Sequence, residues 1–321
     1  MKVYIVGQGA VGTFFGERLR SIDVEVVYAP RDLDAVVPYA ADVAIVATKA
    51  YDTAGAIATL QRAIVAAESC VFMTPQNGVG NEEQLAHAFG AERVVAAALT
   101  VPVGRARDGR AVAVQAGGLA LAPLGNNAFN WLVATFAGAG LDVRVVESWR
   151  SLKWSKLLLN VIANASCAIL NVLPNRLVDY DDIFALEIRA VREVHAVMRR
   201  LGIAAIDLPR YRVRALQVVA ALPISLACPI LARRIAGARG TKAPSLLLDL
   251  RGGKSRTEVE VLNGAVAAHG HRCGVATPVN TVYARVLGDI AHMPQLWAKY
   301  RERPEVLAAE VAAEVRRTKT V

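Results

Sequence analysis

Aromatic residues are scarce in this chain, 6% of 321 positions, and cysteines number only four: Cys70, Cys167, Cys228 and Cys273. The cysteines lie far apart and form no CxxC pair. That speaks against a zinc site or a disulfide framework, so no metal and a reducing, cytoplasmic compartment are expected. With few rings to pack, a hydrophobic share of 54% must come mainly from Ala, Val and Leu, which suits helices laid on a parallel sheet. Histidine is sparse as well. His87, His195, His269, His271 and His292 occupy no catalytic spacing; His195 sits in an apolar helical pattern, and His269 and His271 end a helix, where the dipole favours them. Low-complexity tracts and internal repeats are absent. The chain opens directly on an apolar strand, so no signal peptide is expected.

Acidic residues are the minority charge, 28 against 37 Lys and Arg, for a formal +9. The basic residues are dispersed and no aromatic-interleaved basic stripe appears, so nucleic acid is not the expected partner. A phosphorylated cofactor and a small carboxylate substrate would use part of this charge. One long uncharged run exists, Ala215 to Ala232, flanked by Arg212, Arg214, Arg233 and Arg234. It is slightly short for a membrane span and is interrupted by Pro223 and Pro229. A buried, proline-broken helix pair is the expectation; peripheral membrane association is the competing reading.

The length suits two domains. Strand patterns at Lys2–Val6, Val24–Tyr28, Val43–Thr48, Cys70–Thr74 and near Val94–Ala98 alternate with helical patterns, including Thr53–Ala66. This is the spacing of right-handed βαβ units and predicts a parallel sheet covered on both faces. Ala111–Val114 and Leu119–Ala122 flank Gly117-Gly118 and read as a hairpin, and Leu141–Val146 closes the first domain. Beyond Glu147 the period turns helical over Ser148–Leu170, Asp181–Leu201, Thr257–His269, Thr277–Asp289 and Pro304–Arg316. The expected architecture is an α/β Rossmann-type domain over 1–147 and an all-α domain over 148–321, with a homodimer possible through apolar helical surface.

The sharpest motif is Gly7-Gln8-Gly9-Ala10-Val11-Gly12, a GxGxxG that follows a strand and opens a helix. Gly7 permits the tight turn, Gly9 lets the backbone approach a pyrophosphate, and Gly12 lets helix and strand pack closely. At the end of the second strand stands Tyr28-Ala29-Pro30-Arg31, with no carboxylate to grip ribose hydroxyls. A guanidinium there suits a 2′-phosphate, so NADP (NADPH) is favoured, although Asp32 and Asp34 lie just beyond and keep NAD open. Lys49, after the third strand, reaches the cofactor's phosphate end or is a surface lysine. Gln76-Asn77-Gly78, after the fourth, offers Asn77 to the nicotinamide end or forms an ordinary Asn-Gly turn. The segment Arg31–Asp42 leaves room for a turn or a small helix.

In the second half Lys156, Asn160 and Asn164 recur at i, i+4 and i+8, a spacing that puts all three on one helix face. They line a polar cleft or form a solvent-facing stripe; the spacing alone does not choose. Thr257 reads as an N-cap with Glu258 in the first turn, favoured there by the dipole.

In combination, the N-terminal GxGxxG, Gln76-Asn77-Gly78, Lys156-x3-Asn160-x3-Asn164, Pro244-Ser245 with Asp249, and Thr257-Glu258 before Asn263-Gly264 resemble the ketopantoate reductase family over nearly the whole chain. The resemblance implies NADPH-dependent reduction of ketopantoate (2-dehydropantoate) to pantoate. It implies Lys156 as general acid, Glu258 as a ligand of substrate hydroxyl that orients that lysine, and Asn160 and Asn164 on the hydroxyl. Ser245 would meet the carboxylate, and Asn77 would position Lys156 and the nicotinamide end. Reduction of another 2-oxo acid, or a non-catalytic NADP-binding sensor, are the alternatives.

Overall fold

Apolar strands without polar alternation, with helices after β1, β3, β4 and β8, build the first half as β1 (Lys2–Val6), α1 (Ala10–Arg20), β2 (Glu25–Tyr28), β3 (Val43–Val46), α2 (Thr53–Ala63), β4 (Val71–Thr74), α3 (Asn81–Phe89), β5 (Val94–Leu99), β6 (Val103–Arg105), β7 (Ala111–Ala113), β8 (Leu119–Pro123), α4 (Asn130–Gly138) and β9 (Val143–Val145); the apolar pattern is unbroken in β3 and β5. The computed structural model describes residues 1–65, 69–106, 108–113, 115–126, 129–239 and 242–319. Seven strands form one sheet in the order β2-β1-β3-β4-β5-β8-β9. Pairing is parallel from β2 through β5, antiparallel between β5 and β8, and parallel again between β8 and β9.

Period-2 geometry explains why these strands are apolar throughout. Val3 and Ile5 of β1 point into a core with Phe14, Phe15 and Leu19 of α1 and Phe136 of α4. Tyr4 and Val6 point into a second core with Leu60 of α2, Phe72 of β4 and Leu85 of α3. Both faces are dry over the middle of the sheet, so charged residues occur only at strand starts and on the edge strands, as Lys2, Glu25 and Arg144. The order reverses between β1 and β3, which makes the carboxyl ends of β1, β3 and β4 the ligand-binding edge.

The hairpin expected across Gly117-Gly118 does not form. β7 pairs instead with β6 in a separate two-stranded ribbon, β8 pairs with β5, and position 114 lies outside the described residues. The glycines serve close approach rather than a turn. A Cβ on Gly117 would lie 2.5 Å from the Val101 nitrogen, and one on Gly118 2.4 Å from the Asp142 carbonyl oxygen. The backbone nitrogen of Gly118 donates to Thr100 Oγ1 at 2.9 Å, and that hydroxyl reaches the Pro209 carbonyl at 2.9 Å. The helix expected over 53–66 ends at Ala63, where the chain turns extended at Ile64 and bridges to Tyr39; position 66 is outside the described residues. The short link after β2 holds only a 3₁₀ turn over Leu33–Ala35.

The chain continues through α5 (Trp149–Val161), α6 (Ala165–Leu170), α7 (Pro174–Leu177), α8 (Asp181–Arg200), α9 (Val213–Ala221), α10 (Ile224–Arg239), α11 (Ser245–Arg251), α12 (Asn263–Cys273), α13 (Pro278–His292), α14 (Trp297–Tyr300) and α15 (Pro304–Lys319). Two compact units result: Met1–Lys156 with Ile206–Tyr211, and Leu157–Ala205 with Arg212–Val321. The expected boundary at 147/148 lies at the start of α5, whose residues belong to both units.

Two helical expectations are corrected. The stretch from 148 to 170 is not one helix. Ala163 takes φ +49, and its backbone nitrogen leaves the helix ladder to donate to the buried Glu187 carboxylate. Likewise the segment after Thr257 begins as a 3₁₀ turn over Glu258–Val261, breaks at Leu262, and resumes as α12 to Cys273. Ala215–Ala232 does form a helix pair parted at Pro223, but it is not buried. Val213, Leu216, Ala227 and Leu231 are covered, while Val218, Leu226 and Ile230 are 66%, 54% and 45% exposed. Pro229 sits inside α10 and has no N–H to give to the carbonyl four residues back, that of exposed Ser225. Among the described residues no helix is long and apolar enough to cross a membrane.

Within the helical unit Glu193 of α8 caps α13. Its carboxylate accepts from the Val279 and Asn280 nitrogens at 2.9 and 3.0 Å and from Asn280 Nδ2 at 2.7 Å. Burial outweighs these donors and pushes the Glu193 carboxyl up to about 7. A carboxyl raised in the folded state contributes stability that is complete below its unfolded value of 4.5 and is lost as pH rises through about 7. Thermal unfolding between pH 5 and 8 therefore shows a falling Tm, and Glu193→Gln flattens that slope. An unchanged slope in the variant would remove Glu193 as its source.

Candidate active site

The glycine loop lies against the end of β3. Gly7 has φ +102, and a Cβ there would fall 2.6 Å from the Thr48 nitrogen. At Gly12 a Cβ would fall 1.9 Å from the Gly7 carbonyl oxygen. Gly9 differs: nothing lies within 4 Å of its added Cβ, and Gln8 and Gly9 are exposed. Helix α1 has no capping side chain and no acidic residue in its first turn. Its first turn, with Ala10 and Val11, thus carries N–H groups and the positive end of the helix dipole toward the open face of Gly9, an arrangement that fits a pyrophosphate.

At the end of β2, Tyr28 packs over Gly16 and donates to the Gly12 carbonyl at 3.3 Å, and Arg31 is exposed. The two nearby carboxylates are engaged elsewhere. Asp32 accepts from the Asp34 nitrogen at 3.0 Å, and Asp34 pairs with Arg62 at 3.1 Å. Arg31, Asp32 and Asp34 are all exposed after the end of β2, and Arg31 is the positive charge among them.

The edge beyond β3 and β4 is tightly wired. Gln76 Oε1 accepts from Thr74 Oγ1 at 3.0 Å, and Nε2 donates to the Thr48 carbonyl at 3.2 Å and to Thr53 Oγ1 at 3.0 Å. Thr53 Oγ1 also donates to Asn81 Oδ1 at 3.0 Å, and Asn81 Nδ2 donates to the Asn77 carbonyl at 3.1 Å. Lys49 and Asn77 are half-buried beside this lattice. Polar groups held by several partners have little freedom left to lose when a ligand arrives.

Two further residues join this edge. Lys153 of α5 and Glu82 of α3 are 1% and 0% exposed and pair at 2.9 Å, and Lys153 Nζ also donates to the Gln76 carbonyl. Burial raises the Glu82 carboxyl, and the Lys153 ammonium beside it opposes that shift. Neither residue stands out in the sequence. Glu82 in the first turn of a helix is explained by the dipole alone. Lys153, three residues before Lys156, was hidden by the longer row.

That row is only partly real. Lys156 and Asn160 are half-buried, one turn apart on α5. Asn164 is not on that helix face: after the bend at Ala163 it stands at the N-cap of α6. Its amide bonds to backbone, Nδ2 donating to the Asn160 carbonyl at 3.1 Å and Oδ1 accepting from the Leu246 nitrogen at 3.3 Å. Asn164 thereby ties the end of α5 to the start of α11, where Ser245 is exposed. Glu258 is 4% exposed at the start of a 3₁₀ turn capped by Thr257, whose Oγ1 accepts from the Val259 nitrogen at 3.4 Å. Asn263 is structural; its Nδ2 donates to Asn280 Oδ1 at 3.0 Å. Among the described residues no His, Cys, Asp and Glu group could hold a metal.

A dinucleotide-type α/β unit with an open glycine loop, ending in a helix that carries Lys156, and a helical unit with a buried carboxylate at Glu258 define a nucleotide-dependent oxidoreductase class. Comparison with known proteins narrows it. The family models "Ketopantoate reductase PanE/ApbA" and "Ketopantoate reductase PanE/ApbA C terminal" match residues 23–126 and 148–291. A 2-dehydropantoate 2-reductase of Halobacterium salinarum is 30% identical over 260 residues, 79% of this chain and 76% of the relative. The crystal structure of a PanE/ApbA family ketopantoate reductase from Ralstonia eutropha superposes with a TM-score of 0.74 at 26% identity, covering 94% of this chain and 99% of that one. D-mandelate dehydrogenase in complex with NADH shares the fold, with a TM-score of 0.74 at 20% identity over 91% of this chain and 99% of that one. The chain belongs to the ketopantoate reductase family, a family of pyridine-nucleotide-dependent oxidoreductases.

Proposed function

We propose that the protein reduces ketopantoate to pantoate with NADPH in the cytoplasm, residues 1–147 binding the cofactor and 148–321 forming the substrate domain. The observation that carries this reading is the lysine and asparagine one turn apart on α5, Lys156 and Asn160, in a chain whose β1–α1 loop is built for a pyrophosphate. The glycine loop from Gly7 through Gln8, Gly9, Ala10 and Val11 to Gly12 takes the pyrophosphate. Arg31 takes the 2′-phosphate, Lys49 supports the phosphate-bearing end, and Asn77 serves the nicotinamide end.

NADPH, when bound, supplies the hydride that reduces the keto carbon. Lys156 meets the negative charge that develops on the carbonyl oxygen and delivers a proton to that oxygen from Nζ. Asn160 hydrogen-bonds substrate hydroxyl. Glu258, kept from water, accepts a hydrogen bond from substrate hydroxyl. Ser245 contacts the carboxylate. Asn164 joins Asn160 on the substrate hydroxyl with the second N–H and lone pair of an amide whose other bonds go to the Asn160 carbonyl and the Leu246 nitrogen.

The test is oxidation of NADPH by the purified protein with ketopantoate, repeated with NADH and with Arg31→Ala. Charge-assisted bonds to a phosphate contribute about 1.5–3 kcal/mol, so kcat/KM favours NADPH by about 10- to 100-fold and Arg31→Ala abolishes most of that preference. Equal use of both cofactors by the unaltered protein would overturn the assignment to NADPH. Absence of turnover with either would overturn ketopantoate as substrate.

A further inference from the structure

The reading of Lys156 as proton donor leaves the Lys153–Glu82 pair without a role. A dry ion pair is a poor source of stability, because the cost of removing both charges from water cancels most of their attraction, and an apolar pair of like volume often serves as well. Here Lys153 is 1% exposed and Glu82 0%. Stability alone is a weak reason for such an arrangement, and the geometry supplies another.

The Lys153 ammonium joins three elements. It pairs with Glu82 Oε1 at 2.9 Å in the first turn of α3, donates to the Gln76 carbonyl beyond β4, and lies 3.5 Å from the Ala97 carbonyl of β5. The neighbouring Asn81 holds the next carbonyl along, that of Asn77, at 3.1 Å. Both carbonyls that flank the Asn77 backbone nitrogen and Cα are therefore gripped, one from α5 and one from α3. Lys153 also lies at i−3 from Lys156, the spacing that puts helix neighbours about 5–6 Å apart at Cβ.

Resting on that reading of Lys156, we propose that the buried Lys153–Glu82 pair is a positioning element of the reductase: it clamps the Gln76–Asn77 peptide to the turn of α5 that precedes the proton-donating lysine. Lys153 touches neither reacting atom. It sets the direction from which the Asn77 side chain is presented and couples that direction to the helix carrying Lys156. Glu82 holds the ammonium in place while it does so.

The clamp separates stability from turnover in a way that a structural pair does not. In Glu82→Gln the ammonium keeps an oxygen acceptor and its bond to Gln76, so kcat stays within about threefold of the unaltered protein although Tm falls, because a buried charge has lost its counter-charge. In Lys153→Met/Glu82→Met the volume is filled without an unpaired charge, so Tm falls no further than in Glu82→Gln, and NADPH still binds through the glycine loop. The Gln76 carbonyl is released, however, and kcat falls by about 10²-fold, the scale of a misplacement of about 1 Å, with KM for ketopantoate changed by less than about threefold. Amide hydrogen exchange over residues 76–80 reads the clamp whatever the substrate proves to be, and it accelerates in the double variant alone.

Kinetics, Tm, NADPH binding and exchange are measured on the full chain for all three proteins. Full kcat with unchanged exchange in the double variant would overturn the proposal, as would a loss of kcat in Glu82→Gln equal to that of the double variant. If the unaltered protein fails to reduce ketopantoate, the functional reading falls, and exchange at 76–80 still decides the clamp.

Discussion

Lys156→Ala lowers the rate of ketopantoate-dependent NADPH oxidation by about 10³- to 10⁴-fold while NADPH affinity is unchanged. Two effects act through the same nitrogen. As hydride adds to the keto carbon, the oxygen gains nearly a full negative charge, and a fixed ammonium offsets it without solvent rearrangement. The same group then gives up its proton, so that an alcohol and not an alkoxide is released. Alanine removes both. Water can replace the proton but not the preorganised charge. NADPH affinity is spared because the pyrophosphate loop lies at β1 and α1, elements that α5 does not contribute to. Lys156→Arg separates the two effects: the charge remains, but a guanidinium does not give up a proton, so its rate lies between alanine and lysine. Stopped-flow single turnovers give the chemical step, and fluorescence titration gives the binding. A rate within about tenfold of the unaltered protein in Lys156→Ala would move the proton donor to another residue.

Much of the architecture was legible because two periodicities are unambiguous. The apolar runs of β1, β3, β4 and β5 are buried on both faces and could be little else in an alternating chain. The glycine loop was legible for a stronger reason, since each glycine sits where a backbone, or an open face beside a helix start, demands it. What was not legible depended on contacts distant in sequence. Gly117-Gly118 carries the composition of a turn, yet those glycines exist to admit Thr100 and Asp142, and only the sheet order reveals this. The bend at Ala163 has no local signature: alanine is the best helix former, and the departure is imposed by Glu187 on another helix. Asn164 therefore kept its spacing in the sequence while leaving the face it shared on paper with Lys156 and Asn160. The exposed apolar side of α9 and α10 is not legible in the sequence, because absence of charge does not say which side the rest of the helical unit covers.

The glycine loop yields the second large effect, a graded series in which neighbouring substitutions fail for different reasons. Gly12→Ala does not fold to a stable protein, because its Cβ would stand 1.9 Å from the Gly7 carbonyl oxygen, a backbone atom that cannot swing aside as a flexible side chain could. Gly7→Ala combines a φ of +102 with a Cβ placed 2.6 Å from the Thr48 nitrogen. Backbone strain and overpacking together make that variant less stable by about 3 kcal/mol or more. Gly9→Ala is the informative member. Nothing lies within 4 Å of its Cβ, and its φ of −80 is one any residue adopts, so the variant keeps the Tm of the unaltered protein. The methyl group would occupy the space through which the pyrophosphate approaches the first turn of α1. NADPH then binds at least about 100-fold more weakly, the loss expected when close contacts to a charged group, each contributing about 1.5–3 kcal/mol, are broken. Thermal unfolding with and without NADPH distinguishes the cases, since a bound ligand raises Tm only where it binds. Full NADPH stabilisation of Gly9→Ala would show that the phosphates lie elsewhere and that the open face of Gly9 is merely solvent. A Gly9→Ala variant that unfolds like Gly12→Ala would show that the loop closes more tightly than its geometry implies.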